Sequence, residues 1–272
     1  MRSGWVVRVP ASSANLGPAF DAMGVALALY LEARPGGGEP APETHPAVRA
    51  FRSAGGDGPL VVRSPIPSGR GLGFSGAARV AGLLAAQAQR GDAVPSARRE
   101  VLRRATELEG HADNVAASLY GGVVAVAAGR VVRVPIGRDL AVVVWIPSRE
   151  QSTATARRLM PDQVPFADAV FNVGRTALLV AALASGDPEA LRVATEDRLH
   201  QDHRLARMHD TRVAIDAALG AGAFAAWLSG SGPAAAAFAD PARAEAVAAA
   251  LPAGGRALVL PIDEHGAVVH ED

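Results

Sequence analysis

Residues Ile66-Pro67-Ser68-Gly69-Arg70-Gly71-Leu72-Gly73-Phe74-Ser75-Gly76-Ala77-Ala78 form a glycine-rich stretch that runs directly into an alanine-rich helical sequence. Glycines let a backbone turn sharply and bring N–H groups close to an anion, and a helix N-terminus adds about half a positive charge. Together these features make a phosphate cradle. Ser75, in the first helical turn, is placed to set its hydroxyl on a phosphate or on Mg²⁺. The plainer alternative is a flexible turn closed by an N-cap serine. Gly71 to Gly76 also satisfies GxGxxG, but a dinucleotide site requires an acidic residue about 20 positions later at the end of a second strand. Asp92 instead follows a helix and leads into another.

Three further segments carry polar chemistry. Val9 to Gly24 follows a first strand, and its small and turn-forming residues make a loop from which Asn15 and Asp21 can point into a pocket. Glu107-Leu108-Glu109-Gly110-His111-Ala112-Asp113-Asn114 closes one helix and opens the next; a carboxylate with an imidazole can bind metal, but the regular zinc pattern of two histidines at i, i+4 on one helix is missing. Leu228-Ser229-Gly230-Ser231-Gly232-Pro233 lies between two short apolar strands. Taken singly, each has a bland reading: turn-stabilising Asn and Asp, a capping turn, and a plain hairpin connection.

The elements that must position these segments are legible from periodicity. Strands are expected at 5–9, 25–31, 60–63, 123–127, 131–134, 140–146, 224–228, 235–238, 257–260 and 267–269, with the fourth and fifth joined as a hairpin at Ala128-Gly129. Residues 34–43, rich in Pro and Gly, read as a surface loop. Helices are expected at 75–89, 96–108, 189–198, 211–219 and 241–251, and Val170, Val173, Ala177, Val180 and Ala184 mark an amphipathic one. Helix and strand mixed without strict alternation argue for an α+β fold, divided near the apolar run Leu140–Ile146 into 1–138 and 139–272.

Composition narrows the chemistry. Acidic and basic residues balance at 27 each, so no overall field recruits nucleic acid or anionic lipid. No apolar run approaches the roughly 18 residues of a membrane span, and Arg8 and Pro10 interrupt what a secretion signal would need, so Met1 to Pro10 reads as a first strand of a cytoplasmic protein. There is no Cys, hence no thiolate nucleophile and no disulfide. Every basic residue other than His is Arg, which excludes Schiff-base chemistry and a P-loop lysine, so phosphate binding must rest on backbone N–H groups, Arg and metal.

Taken in this order, the four segments resemble the motif set of the GHMP kinases across nearly the whole chain. Three details resemble those members that phosphorylate homoserine: Pro10-Ala11-Ser12-Ser13-Ala14-Asn15-Leu16-Gly17-Pro18, Glu109-Gly110-His111-Ala112-Asp113-Asn114-Val115-Ala116, and Ser152-Thr153-Ala154-Thr155-Ala156-Arg157-Arg158-Leu159-Met160-Pro161. Asp197-Arg198-Leu199-His200 leading to Arg204 adds to them. The resemblance implies a two-lobed fold, with an N-terminal lobe like ribosomal S5 domain 2 and a ferredoxin-like C-terminal lobe. It implies ATP and Mg²⁺, with L-homoserine phosphorylated on its side-chain hydroxyl in threonine biosynthesis; another small alcohol, of the mevalonate or sugar kind, and a catalytically silent ligand-binding relative are the alternatives. Carried over by motif, Pro67, Ser68, Gly69, Arg70, Gly71, Leu72, Gly73 and Ser75 wrap the triphosphate. Ser75 and Glu107 hold Mg²⁺, with Glu109 as the alternative. Asn15 and Asp21, together with Asp113, serve the acceptor hydroxyl, His111 and Asp113 meet the amino-acid part, and Arg157 and Arg204 clamp the carboxylate. A homodimer is the default assembly. The sequence departs from the pattern at Ala19, Phe74, Gly76 and Gln201-Asp202-His203, and Phe74 beside the phosphate loop is expected to reshape nucleotide affinity.

Overall fold

The computed structural model describes residues 4–92, 94–151 and 153–271; Met1 to Ser3, within the expected first strand, and Ser152 lie outside them. The first half contains β1 (Trp5–Ala14), β2 (Met23–Arg34), α1 (Pro46–Ser53), β3 (Val61–Arg63), α2 (Phe74–Arg90), α3 (Val94–Glu109), α4 (Asp113–Tyr120), β4 (Val123–Ala127) and β5 (Arg130–Val134). The second contains β6 (Ala141–Pro147), α5 (Thr153–Arg157), α6 (Phe166–Ser185), α7 (Pro188–Ala194), α8 (Gln201–Leu205), α9 (His209–Gly220), β7 (Ala225–Leu228), β8 (Ala235–Ala239), α10 (Ala244–Ala249), β9 (Gly255–Pro261) and β10 (Val268–Glu271). Every strand pairing among the described residues is antiparallel, which is the α+β class expected.

One sheet runs β10-β1-β2-β4-β5 with β3 also on β2, and the other runs β7-β8-β6-β9. The last strand thus returns to pair with the first, Trp5 opposite Glu271. β1 shows why the sequence folds this way. From Trp5 to Val9 its side chains alternate between buried and partly exposed, as a half-covered strand requires. From Val9 to Ala14 every residue is buried, because chain segments cover both faces there. The β1–β2 register shifts between Pro10 and Ala11, where a residue without an N–H is tolerated in an interior strand. β6 is buried along its whole length, which explains its unbroken apolar run.

A single hydrophobic cluster joins α2 and β1 to Val142, Trp227 and Phe238 of the second sheet, so the two sheets share a core. A smaller cluster lies between β6, β8, α9 and α10. The run expected as one helix to 198 stops at Ala194, capped by Thr195, and Asp197 lies beyond it. Its carboxylate accepts from the N–H groups of Leu199, His200 and Gln201, closing a turn that starts α8. The expectation that no apolar stretch reaches the length of a membrane span is corrected by α6, 20 residues with a mean hydropathy of 1.4 in its most apolar window. α6 packs on α7 and buries Asn172, Leu179, Ala182 and Leu183.

Candidate active site

The glycine loop connects β3 to α2. Gly73 is the N-cap of α2 in the left-handed conformation, and no side chain caps the helix, so the first-turn N–H groups face the loop. A Cβ at Gly73 would lie 2.0 Å from Ser12 Oγ, and one at Gly71 would lie 2.2 Å from the Ser229 carbonyl oxygen. The close approach of β1 and of the β7–β8 connection therefore requires glycine at both positions. Ser229 seals the contact, its hydroxyl donating to the Gly71 carbonyl at 2.6 Å and sitting 2.7 Å from Ser13 Oγ. The 228–233 segment is a hairpin connection, in line with its bland reading, and it also forms one wall of the cleft over the loop.

Ser75 is not an N-cap. Its hydroxyl donates to Glu109 Oε2 at 2.9 Å, and Arg79 Nη1 reaches both groups. The Glu109 side chain is only 9% exposed, and its other oxygen lies 3.7 Å from His111 Nε2. His111 Nδ1 is 2.9 Å from Asp113 Oδ1, which also accepts from the Asn114 N–H. A polar chain, Ser75–Glu109–His111–Asp113, thus runs from the loop along the α3–α4 junction. Glu107 is elsewhere: it is exposed and pairs with Arg103 one turn back on the outer face of α3. The structure brings the alternative, Glu109, to Ser75, and corrects the placement of Glu107.

The Arg70 side chain fastens the loop's backbone turn to its neighbours. Its guanidinium donates to the carbonyls of Pro147, Ser68 and Ser148 and pairs with Glu150, stapling the loop to the exit of β6. Phe74 packs edge-on against His45, ring centroids 5.7 Å apart.

Opposite the polar chain stands the β1–β2 connection. Asn15, Leu16 and Asp21 all have positive φ, and Asn15 Oδ1 accepts from the Asp21 N–H at 3.0 Å, which fixes the turn. Both Asp21 oxygens accept from Arg157 Nη2, at 2.7 and 2.9 Å. Asn15 Nδ2 and Arg204 Nη1 both donate to the Gly230 carbonyl. Arg204 is 1% exposed, and its Nε has no partner among the described residues. Burial first, and then the neighbouring Arg157, push Arg204 down to about 10, so it remains a cation at neutral pH; Asp21, Asp197 and Asp113 are close enough to pull the other way. The Phe20 ring lies against the guanidinium groups of both Arg157 and Arg204.

His200 has no role in the sequence motif that contains it, yet it stands at the centre of this wall. Its Nε2 lies 2.7 Å from the Gly17 carbonyl and its Nδ1 lies 3.3 Å from Arg204 Nη1. Burial lowers its pKa, outweighing Asp197, so the imidazole is neutral, donating through Nε2 and accepting through Nδ1. The folded protein therefore excludes a proton that the unfolded chain binds below about 6.5. Stability from this group is complete above that pH and declines as pH falls through the lowered folded value. His200→Gln should cost about 1–3 kcal/mol at pH 7.5, while losing less additional stability than wild type on transfer to pH 5. Urea unfolding at the two pH values measures both, and equal acid losses would contradict the assignment.

Arg79, Ser229 and His200 are the site residues that sequence reading missed. For Arg79 the signal was available, since four residues after Ser75 is the same helix face.

Two family models match the chain: GHMP kinases N terminal domain over residues 44–122, and GHMP kinases C terminal over 179–257. The homoserine kinase of Clavibacter michiganensis is 44% identical over 84% of this chain and 80% of its own length. That of Thermus thermophilus is 43% identical over 94% of this chain and 95% of its own. Among solved structures, homoserine kinase from Cytophaga hutchinsonii superposes with a TM-score of 0.85 at 26% identity, covering 99% of this chain and 98% of that one.

Proposed function

The chain belongs to the GHMP kinases, and from that premise we propose that it transfers the γ-phosphoryl group of ATP to the side-chain hydroxyl of L-homoserine. The observation that carries the substrate is Arg204. A buried guanidinium with an unpartnered Nε, set beside the Asn15–Asp21 turn, suits the carboxylate of a small amino acid. Its likeness to homoserine kinases along nearly the full chain supports the same acceptor.

Phosphoryl transfer through a loose transition state demands alignment and charge neutralisation more than covalent help. In this reading the N–H groups of the 68–73 loop and the uncapped first turn of α2 hold the triphosphate. Ser75 Oγ and the Glu109 carboxylate hold Mg²⁺. The pair fits that ion, because Mg²⁺ prefers hard oxygens and usually takes only one or two from protein, leaving the rest of its shell to water and phosphate. When bound, the ion neutralises charge on the transferring group. Arg204 and Arg157 hold the acceptor's carboxylate, His111 and Asp113 meet its amino-acid part, and Asn15 and Asp21 orient its hydroxyl. The hydroxyl oxygen bonds to the γ-phosphorus as the bond to the ADP oxygen breaks, and the proton leaves late, to the transferred phosphoryl group. With both Asp21 oxygens engaged by Arg157, the carboxylate orients the hydroxyl. Residues 1–138 supply the nucleotide side of the cleft and 139–272 supply its arginines, in a cytoplasmic enzyme.

A panel of alcohols with ATP and Mg²⁺, read by ADP formation, tests the reading. Homoserine should give turnover at least about 100-fold above mevalonate or a sugar in kcat/KM, since mevalonate, a carboxylate without an amine, leaves the amine's partners unpaired, and a sugar leaves the arginines unpaired as well. A preference for another alcohol, or ATP binding without turnover on any, would sink it.

A further inference from the structure

Arg79 lies one turn beyond Ser75 on α2, and the i, i+4 spacing puts both side chains on one face. Its Nη1 reaches Ser75 Oγ and Glu109 Oε2 together, the same two oxygens that the reading above assigns to a divalent ion. The Arg79 side chain is 23% exposed and that of Glu109 only 9%, so the contact is largely shielded from water. The other charges near this corner are Arg49 from α1, which repels Arg79, and the His111 ring on the far oxygen of Glu109. Nothing else among the ion pairs of the described residues uses Glu109 as an acceptor of strong positive charge.

We propose that Arg79 is a resident cation of the nucleotide site, occupying the metal corner in the nucleotide-free enzyme and enabling ATP to bind without a divalent ion. The inference rests on the ATP reading of the glycine loop. Two consequences follow from elementary electrostatics. A guanidinium at Ser75 and Glu109 competes with any free metal ion for the same oxygens, because one carboxylate oxygen cannot serve both at full strength. Removing it leaves a buried carboxylate uncompensated, a state that is costly until another cation arrives. In the other direction, a fork of N–H donors beside a phosphate loop supplies charge to phosphate oxygens when metal is withheld, which a lysine-free chain has few other means of doing.

The test compares wild type with Arg79→Gln and Arg79→Lys by two binding measurements: Mn²⁺ titration of nucleotide-free protein by electron paramagnetic resonance, and calorimetric ATP titration in EDTA. For Arg79→Gln, Mn²⁺ should bind at least about fivefold tighter and ATP in EDTA at least about tenfold weaker, with Arg79→Lys between it and wild type in both. Either quantity staying within about twofold of wild type in Arg79→Gln overturns the proposal. Wild-type ADP formation with homoserine and Mg²⁺, run alongside, separates the two levels. Turnover with an unchanged variant sinks the Arg79 assignment alone, whereas no turnover sinks the reading beneath it.

Discussion

Arg204→Ala should raise the KM for homoserine about 100- to 1,000-fold while leaving ATP affinity within about twofold of wild type. The magnitude is that of truncating one partner of a buried, hydrogen-bonded charge pair, about 2–5 kcal/mol. The direction follows from where the side chain stands. Arg204 hydrogen-bonds to Gly230 and His200, and among the described residues it makes no hydrogen bond to the 67–75 loop. A loss confined to KM would mark the carboxylate as bound equally in ground and transition states, and a loss shared with kcat would mark it as aligning the hydroxyl. Because Arg204 is fully buried, truncation also threatens the fold, and Arg204→Lys provides the control. It keeps the cation but not the planar fork, so it should fold like wild type and recover only part of the affinity. An unchanged homoserine KM in both variants would remove the carboxylate role.

The glycine loop was legible in the sequence because its chemistry is local, glycines at fixed spacing before a helix, whereas Arg157 and Arg204 were singled out only through the family resemblance of the stretches that hold them. The long strands were legible because one face is buried and the other is not, as the alternation from Trp5 to Val9 shows. What failed to show in the sequence was orientation. Glu107 and Glu109 are two residues apart in the last turn of α3, and at about 100° per residue they point to nearly opposite faces. Sequence alone does not say which face meets Ser75. The Arg103–Glu107 spacing was a clue, since an i, i+4 pair of that kind belongs to a solvated face. Helix α1 was missed because its buried face rests on only a few residues, Ala47, Val48, Ala50 and Phe51, although Pro46 at its start and His45 as its cap were readable signs. The five-residue helices α5 and α8 are too short for periodicity to register. The strand expected at 235–238 is present as β8, although Ala-Ala-Ala-Phe-Ala has little strand propensity of its own and is held by its pairing with β6 and β7 in the core.

Gly71→Ala should cost about 2–4 kcal/mol of stability and weaken ATP binding at least about 100-fold, a larger effect than any side-chain truncation in the loop should give. Part of that cost is general: φ is +75° at this position, and a Cβ in the left-handed region costs about 1–2 kcal/mol. The rest is steric and specific. The new Cβ would meet the Ser229 carbonyl at 2.2 Å and the Gly232 carbonyl at 3.0 Å, both backbone atoms that have no rotamer with which to retreat. Either the loop or the β7–β8 connection must shift, and both the Ser229 hydroxyl bond to Gly71 and the Ala234 N–H bond to Arg70 go with it. Displacing the loop backbone would displace the N–H groups proposed to hold the triphosphate, which is where the loss of ATP affinity arises. Gly91→Ala isolates the two contributions. Gly91 ends the same helix with φ +80°, and a Cβ added there would meet nothing within 4 Å, so it carries the conformational penalty without the collision. It should lose about 1 kcal/mol and keep its ATP affinity. If the two variants proved equally stable and bound ATP equally well, the packing of the β7–β8 connection on the phosphate loop would have no part in holding the nucleotide.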